Sequence, residues 1–235
     1  MSLKPRALTA AKALVHALAL TPAAILAWQI RAEFLTGTGG LGADPVAEIE
    51  HRLGLWALRF LMLTLAVTPL REITGLPALL RFRRMLGLYA FAYATLHLGA
   101  YLVLDLRGYW TQIFEEIAKR PYITVGFAAW LLLVPLALTS TQAAIRRLGR
   151  NWARLHKLVY LIAVLAVLHF WWLVKSDVRE PALYAGILAV LLGWRAWGAL
   201  QKRRLSARRR AATGWAPPPA GSPRAAATGC ASPNA

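Results

Sequence analysis

Arg154–Val174 reads RLHKLVYLIAVLAVLHFWWLV, a continuous apolar run with a histidine near each end. Twenty-one residues of α-helix at ~1.5 Å each reach roughly 30 Å, the hydrocarbon thickness of a bilayer. His156 and His169 therefore occupy two depths of one membrane helix. An imidazole inside lipid requires a partner, so each must be held by another helix or by a cofactor.

Five more apolar runs, 8–30, 53–70, 83–104, 122–140 and 181–199, accompany 154–174. Hydrophobic residues are 58 % of the 235, against about 45–50 % in soluble domains. A chain in lipid must satisfy its backbone internally, so long, uniformly apolar runs are helices; a membrane barrel would instead show ~10-residue alternating segments. The expected fold is all-α: a polytopic bundle of six transmembrane helices over 1–205, followed by a tail, 206–235. That tail starts basic, within KRRLSARRR, which reads as a membrane-surface anchor. It continues in Pro, Ala, Gly and Ser, which bury too little apolar surface to order themselves.

The net charge of +18 superficially suggests nucleic acid, but the basic residues flank the apolar runs, as membrane topology requires. Lys4 and Arg6 precede the first span, Arg71, Arg81, Arg83 and Arg84 fill the second connection, and Arg146, Arg147 and Arg150 the fourth. The first connection carries Glu33, Asp44, Glu48 and Glu50. This alternation puts both termini in the cytoplasm. Lys4 and Arg6 also resemble the start of a secretory signal, but the run exceeds the roughly 7–15 apolar residues of one, and its removal would disturb the charge alternation. Cys230 is the single cysteine and lies in the tail, which leaves no disulfide framework or CxxC site. The GTGGLGADP of the first connection follows no strand and is not a phosphate loop.

Depth sorts the five histidines. The third and fifth spans enter from the same side; His97 after Arg84 and His169 after Arg154 both lie roughly 20 Å in, toward the outer face. Two histidines at one depth on different helices suit a six-coordinate haem b, with a neutral imidazole on each side of the iron. Ala90, Tyr93, Ala94 and Tyr101 share the face of His97; Ile162, Leu165, Ala166 and Trp172 share that of His169. The competing reading is a polar pair hydrogen-bonded across a helix interface. His156 is about 140° around the helix from His169. At its level the third span offers Arg83 and Arg84, so no second bis-histidine haem follows from these helices. His156 remains open as a ligand with another partner, a propionate contact, a flavin or quinone neighbour, or an interfacial residue. His16 is a bundle residue or its partner, and His51 a solvated loop-end residue. The inner arginines serve topology, or cradle a propionate or phosphate.

Several segments in order, GGLGADP, RRMLGLYAFAYATLHL, RPYITVGF, LTSTQ and NWARLHKLVYLIAVLAVLHFWW, resemble the MsrQ (YedZ) family over about residues 10–200. That family is a haem-binding membrane subunit within the ferric-reductase-like transmembrane superfamily. The resemblance implies haem b iron held by His97 and His169, with His156 the other motif histidine and a possible ligand. It also implies an associated FMN, a bacterial inner-membrane location, and electron delivery to a periplasmic molybdopterin-containing methionine sulfoxide reductase, MsrP, that repairs oxidised proteins. Electrons would come from the quinone pool or a cytosolic flavin reductase, and the catalytic site would be on the partner. A stand-alone ferric or superoxide-type reductase would need a flavin and nicotinamide module. A histidine-based metal transporter would need intramembrane acids.

Overall fold

The computed structural model describes residues 5–106, 109, 115–116, 119–174 and 177–212. The expected disordered stretch, residues 213–235, lies outside them. Among the described residues, six helical segments are long and apolar enough to cross a membrane: Arg6–Thr36, Pro45–Thr74, Pro77–Asp105, Pro121–Leu138, Arg150–Leu173 and Arg179–Arg208. Every expected span is present.

Local chemistry sets the helix ends. Helix α1 is Pro5–Thr36. Helix α2, Pro45–Thr74, starts with Asp44 accepting the Ala47 amide at 3.1 Å and Pro45 in the first turn, where no N–H is missed. It stops at Gly75, whose φ of 67° is the left-handed cap that glycine adopts without strain. Helix α3, Leu80–Ala100, follows a 3-10 turn, Pro77–Leu79, and runs into a π-helical turn, Tyr101–Asp105. Helix α4, Pro121–Leu138, begins at a proline. A short α5, Gln142–Leu148, is capped by Thr141 through the Ala144 amide. The fifth span is broken at His156 and Lys157 into α6, Arg150–Leu155, and α7, Leu158–Leu173. Helix α8 is Arg179–Ala212.

Residues Met1–Trp194 form one unit and Arg195–Ala235 a second. The described part of the second is the basic end of α8. In the first, α2 packs along α3, α4 along α7, and α3 and α4 meet between them. The most enclosed side chains, Leu65 and Ile162, come from α2 and α7. Large apolar side chains such as Phe34, Leu138 and Val190 point outward, as expected where the surrounding solvent is lipid.

Pro22 lies inside α1, and a side chain from α3 bonds the helix backbone beside it. The Tyr93 hydroxyl, from α3, donates to the Ala19 carbonyl at 2.7 Å and accepts from the Ala23 amide at 3.1 Å. It bridges an i, i+4 pair beside the proline, the kind of insertion that accompanies helix kinks. This fixes Tyr93 toward α1, away from the face of His97 on which helical spacing placed it. Tyr93 also packs on Phe60 with centroids 5.2 Å apart.

Candidate functional site

His97 and His169, near the C-terminal ends of α3 and α7, meet across the bundle with ring centroids 6.1 Å apart and planes inclined by 71°. His97 Nδ1 lies 2.9 Å from the Glu50 carbonyl of α2, and His169 Nδ1 lies 2.7 Å from the Tyr122 carbonyl of α4. A carbonyl only accepts, so each Nδ1 is the protonated nitrogen and each Nε2 keeps its lone pair. Holding one ring nitrogen by a carbonyl to orient the other is the usual outer shell of a metal-ligating histidine.

Both acceptors precede their histidines by 47 residues. One turn beyond each carbonyl stands a glycine. A β-carbon at Gly54 would lie 3.2 Å from His97 Nδ1, and one at Gly126 would lie 2.6 Å from His169 Nδ1. A shift of 72 residues thus carries Glu50, Gly54 and His97 onto Tyr122, Gly126 and His169. Two helix pairs, α2 with α3 and α4 with α7, present their imidazoles in the same way.

The histidines line one cavity of about 660 Å³, within the roughly 300–1,000 Å³ of cofactor and ligand pockets. Ala90, Ala94 and Tyr101 line it with His97, and Ile162 and Ala166 with His169, as helical spacing implied. Leu165 and Trp172 are not among the lining residues. With iron–nitrogen bonds near the ~2.0–2.1 Å of metal–imidazole contacts, two rings on opposite sides of one ion have centroids about 6.3 Å apart. The observed 6.1 Å is close to that separation.

His156 does not line this cavity. It stands at the break between α6 and α7, stacked on Trp152 with centroids 4.0 Å apart, Nδ1 3.2 Å from the Trp152 carbonyl. Its Nε2 is buried and makes no hydrogen bond among the described residues. The 72-residue shift pairs it with Arg84, not with a histidine. His16 bonds the Tyr89 hydroxyl at 2.7 Å between α1 and α3. His51 sits at the cavity rim, 3.7 Å from Glu180 and beside Phe170. None of the inner residues Arg83, Arg84, Arg146, Arg147, Arg150, Arg154 or Lys157 lines the cavity.

Other site residues escape composition and depth. Glu50 and Tyr122 act through backbone carbonyls, which carry no side-chain signal. The equal Gly-to-His spacing in the two halves was the available clue. Arg59, outside the cavity lining, is the one charge inside LGLWALRFLMLTLAV. Its Nε donates to the Tyr184 hydroxyl at 3.0 Å and its guanidinium lies 4.8 Å from the Trp56 ring centroid, without an ion-pair partner among the described residues.

Comparison with known proteins gives the family. Residues 53–167 match the family described as ferric reductase like transmembrane component; the match includes His97 and His156 and ends just before His169. A relative from Xanthomonas oryzae pv. oryzae (strain MAFF 311018) is 71% identical over 214 residues, 91% of this chain and 95% of its own length. One from Xanthomonas campestris pv. campestris (strain 8004) is 69% identical over 220 residues, 94% of this chain and 99% of its own. One from Brucella ovis is 55% identical over 162 residues, 69% and 73%. Each is named protein-methionine-sulfoxide reductase heme-binding subunit MsrQ. A multi-pass helical membrane protein related along nearly its whole length to these subunits, the chain belongs to the MsrQ family.

Proposed function

We propose that this protein is a bacterial inner-membrane electron carrier. It holds haem b between His97 and His169 and supplies electrons to a periplasmic molybdopterin-containing methionine sulfoxide reductase, MsrP. The observation that carries the reading is the pair of imidazoles facing across one cavity, each with Nδ1 tied to a carbonyl and Nε2 left to coordinate. Among the described residues no three His, Cys, Asp or Glu side chains converge on a metal site. Two imidazoles complete a coordination sphere only when the other ligands arrive with the metal, as a porphyrin provides.

When bound, the haem supplies a one-electron couple; the chain's own residues determine how it is used. The Glu50 and Tyr122 carbonyls fix both rings and enhance their basicity. Gly54 and Gly126 give those rings room. The hydrocarbon walls exclude water, which sets the dielectric and hence the potential. With both termini cytoplasmic, as the Lys and Arg distribution implies, the histidine level lies toward the periplasm, where electrons leave. His156, near the opposite face, marks an inner position where they enter from the quinone pool or a cytosolic flavin reductase. FMN rests on family resemblance.

The direct test is electron delivery. The purified, reduced protein is mixed anaerobically with the molybdopterin reductase and methionine sulfoxide. Its haem spectrum should return to the oxidised form only when both are present. A haem that stays reduced with the competent reductase and its substrate contradicts the proposal.

A further inference from the structure

The cavity has two unlike halves, and the histidines mark the boundary between them. Helices α2 and α4 start at the face where α3 and α7 end, so position along each helix gives height. Toward that face the lining carries the ionisable groups other than His97 and His169: Glu50, His51, Tyr101, Asp105, Arg120 and Tyr122 lie there, among apolar side chains such as Leu98, Ile123 and Phe170. On the other side of the histidine level the lining is apolar, with Leu58, Leu61, Ala90, Leu133 and Ile162. The polar groups come from α2, from the end of α3 and from the start of α4, whereas the end of α7 lines that side with Phe170, Leu173 and Val174.

The polar half contains donors with no acceptor. The Tyr101 hydroxyl is buried and makes no hydrogen bond among the described residues. It opens the π-helical turn Tyr101–Asp105, a local widening frequent at functional sites. Arg120 is the one Lys or Arg among the lining residues. Glu116 holds its Nε at 2.6 Å, and its Nη1 donates to the Tyr122 hydroxyl at 3.2 Å. A guanidinium has five N–H donors, so three have no partner among the described residues. Glu50, whose Oε1 is also buried without a partner among the described residues, and Asp105 add carboxyl groups to other parts of the rim. The cation and the phenol donors that suit a carboxylate are Arg120, already paired on its Nε side with Glu116, and the two tyrosines.

Haem is amphipathic in the same sense, with two carboxylates on one edge and hydrocarbon on the other. Burying a carboxylate among leucines carries a large desolvation penalty, whereas Arg and phenol donors form strong charge-assisted bonds with it. Resting on the haem reading above, we infer that the carboxylate edge of the haem points toward the start of α4, where Arg120, Tyr101 and Tyr122 receive a propionate, while its apolar edge occupies the leucine-lined half.

The test uses the full-length protein purified haem-free in detergent and titrated with protohaem and with its dimethyl ester, which lacks the carboxylate charge. Binding is read from the six-coordinate low-spin spectrum. The wild type should prefer protohaem by about tenfold, the scale of a charge-assisted hydrogen bond. Arg120→Gln combined with Tyr101→Phe should reduce that preference to within about twofold, with Arg120→Lys intermediate. A preference unchanged in the double variant, or absent from the wild type while both haems bind, overturns the inference and leaves the histidine pair standing. If neither haem gives a low-spin spectrum in the wild type, both readings are overturned. Should the double variant fold poorly, Tyr101→Phe alone removes a single oxygen. A lowered preference there supports the inference and an unchanged one rejects it.

Discussion

His97 and His169 face each other with their ring planes 71° apart, each turned by a carbonyl that precedes it by the same 47 residues. Near-perpendicular imidazoles leave the two iron d orbitals that overlap them nearly equal in energy. The ferric protein should therefore give a highly anisotropic low-spin EPR signal with one dominant low-field feature. A rhombic signal of the parallel-ligand kind would show that the rings rotate when iron is bound.

Gly126 and Gly54 should respond unequally to alanine. A methyl at 126 falls 2.6 Å from His169 Nδ1, inside any normal contact, while one at 54 falls 3.2 Å from His97 Nδ1, where a small shift relieves it. Gly126→Ala is expected to lose most of the haem, and Gly54→Ala a minor part, measured as the haem-to-protein ratio after purification. Equal retention would mean that α4 yields as readily as α2.

Arg59 carries a positive charge within the bundle. A cation favours the reduced form of a nearby haem. At an effective dielectric of about 20, a unit charge contributes about 1 kcal/mol at separations of roughly 10–15 Å, some tens of millivolts for one electron. Arg59→Gln should lower the midpoint potential by that amount with the low-spin spectrum unchanged, and Arg59→Lys should restore most of it. Redox titration checks both.

Tyr93 bonds the α1 backbone beside Pro22 through one hydroxyl that donates to Ala19 and accepts from Ala23. Tyr93→Phe keeps the ring against Phe60 but leaves both backbone groups without that partner. The expected loss is about 1–2 kcal/mol of stability, seen as earlier thermal unfolding in detergent, with haem content preserved at low temperature. Haem loss under those conditions would place Tyr93 in the cofactor site.

The six spans were legible because a bilayer imposes length and apolarity on each helix independently. The meeting of His97 and His169 was also legible, since depth along two co-directional helices is read by counting residues. Azimuth was less so: Tyr93 shares the helical face of His97 by spacing, yet Pro22 across the interface draws it to α1. The partners of the imidazoles stayed hidden, because the Glu50 and Tyr122 carbonyls act through backbone and not through side-chain type. Arg120 and Tyr122 stand in RPYITVGF, a motif visible in the sequence, but their place at the rim depends on how α4 docks against α3 and α7.

Optical spectra of the purified protein and three single variants test the central claim most directly. The wild type should show a sharp reduced α band from bis-imidazole haem. His97→Ala and His169→Ala should each abolish that low-spin signal, because each removes one axial ligand, while His156→Ala, whose ring lies outside the cavity, should retain it. Full low-spin haem in either His97→Ala or His169→Ala, or its complete loss in a folded His156→Ala protein, would contradict the pairing.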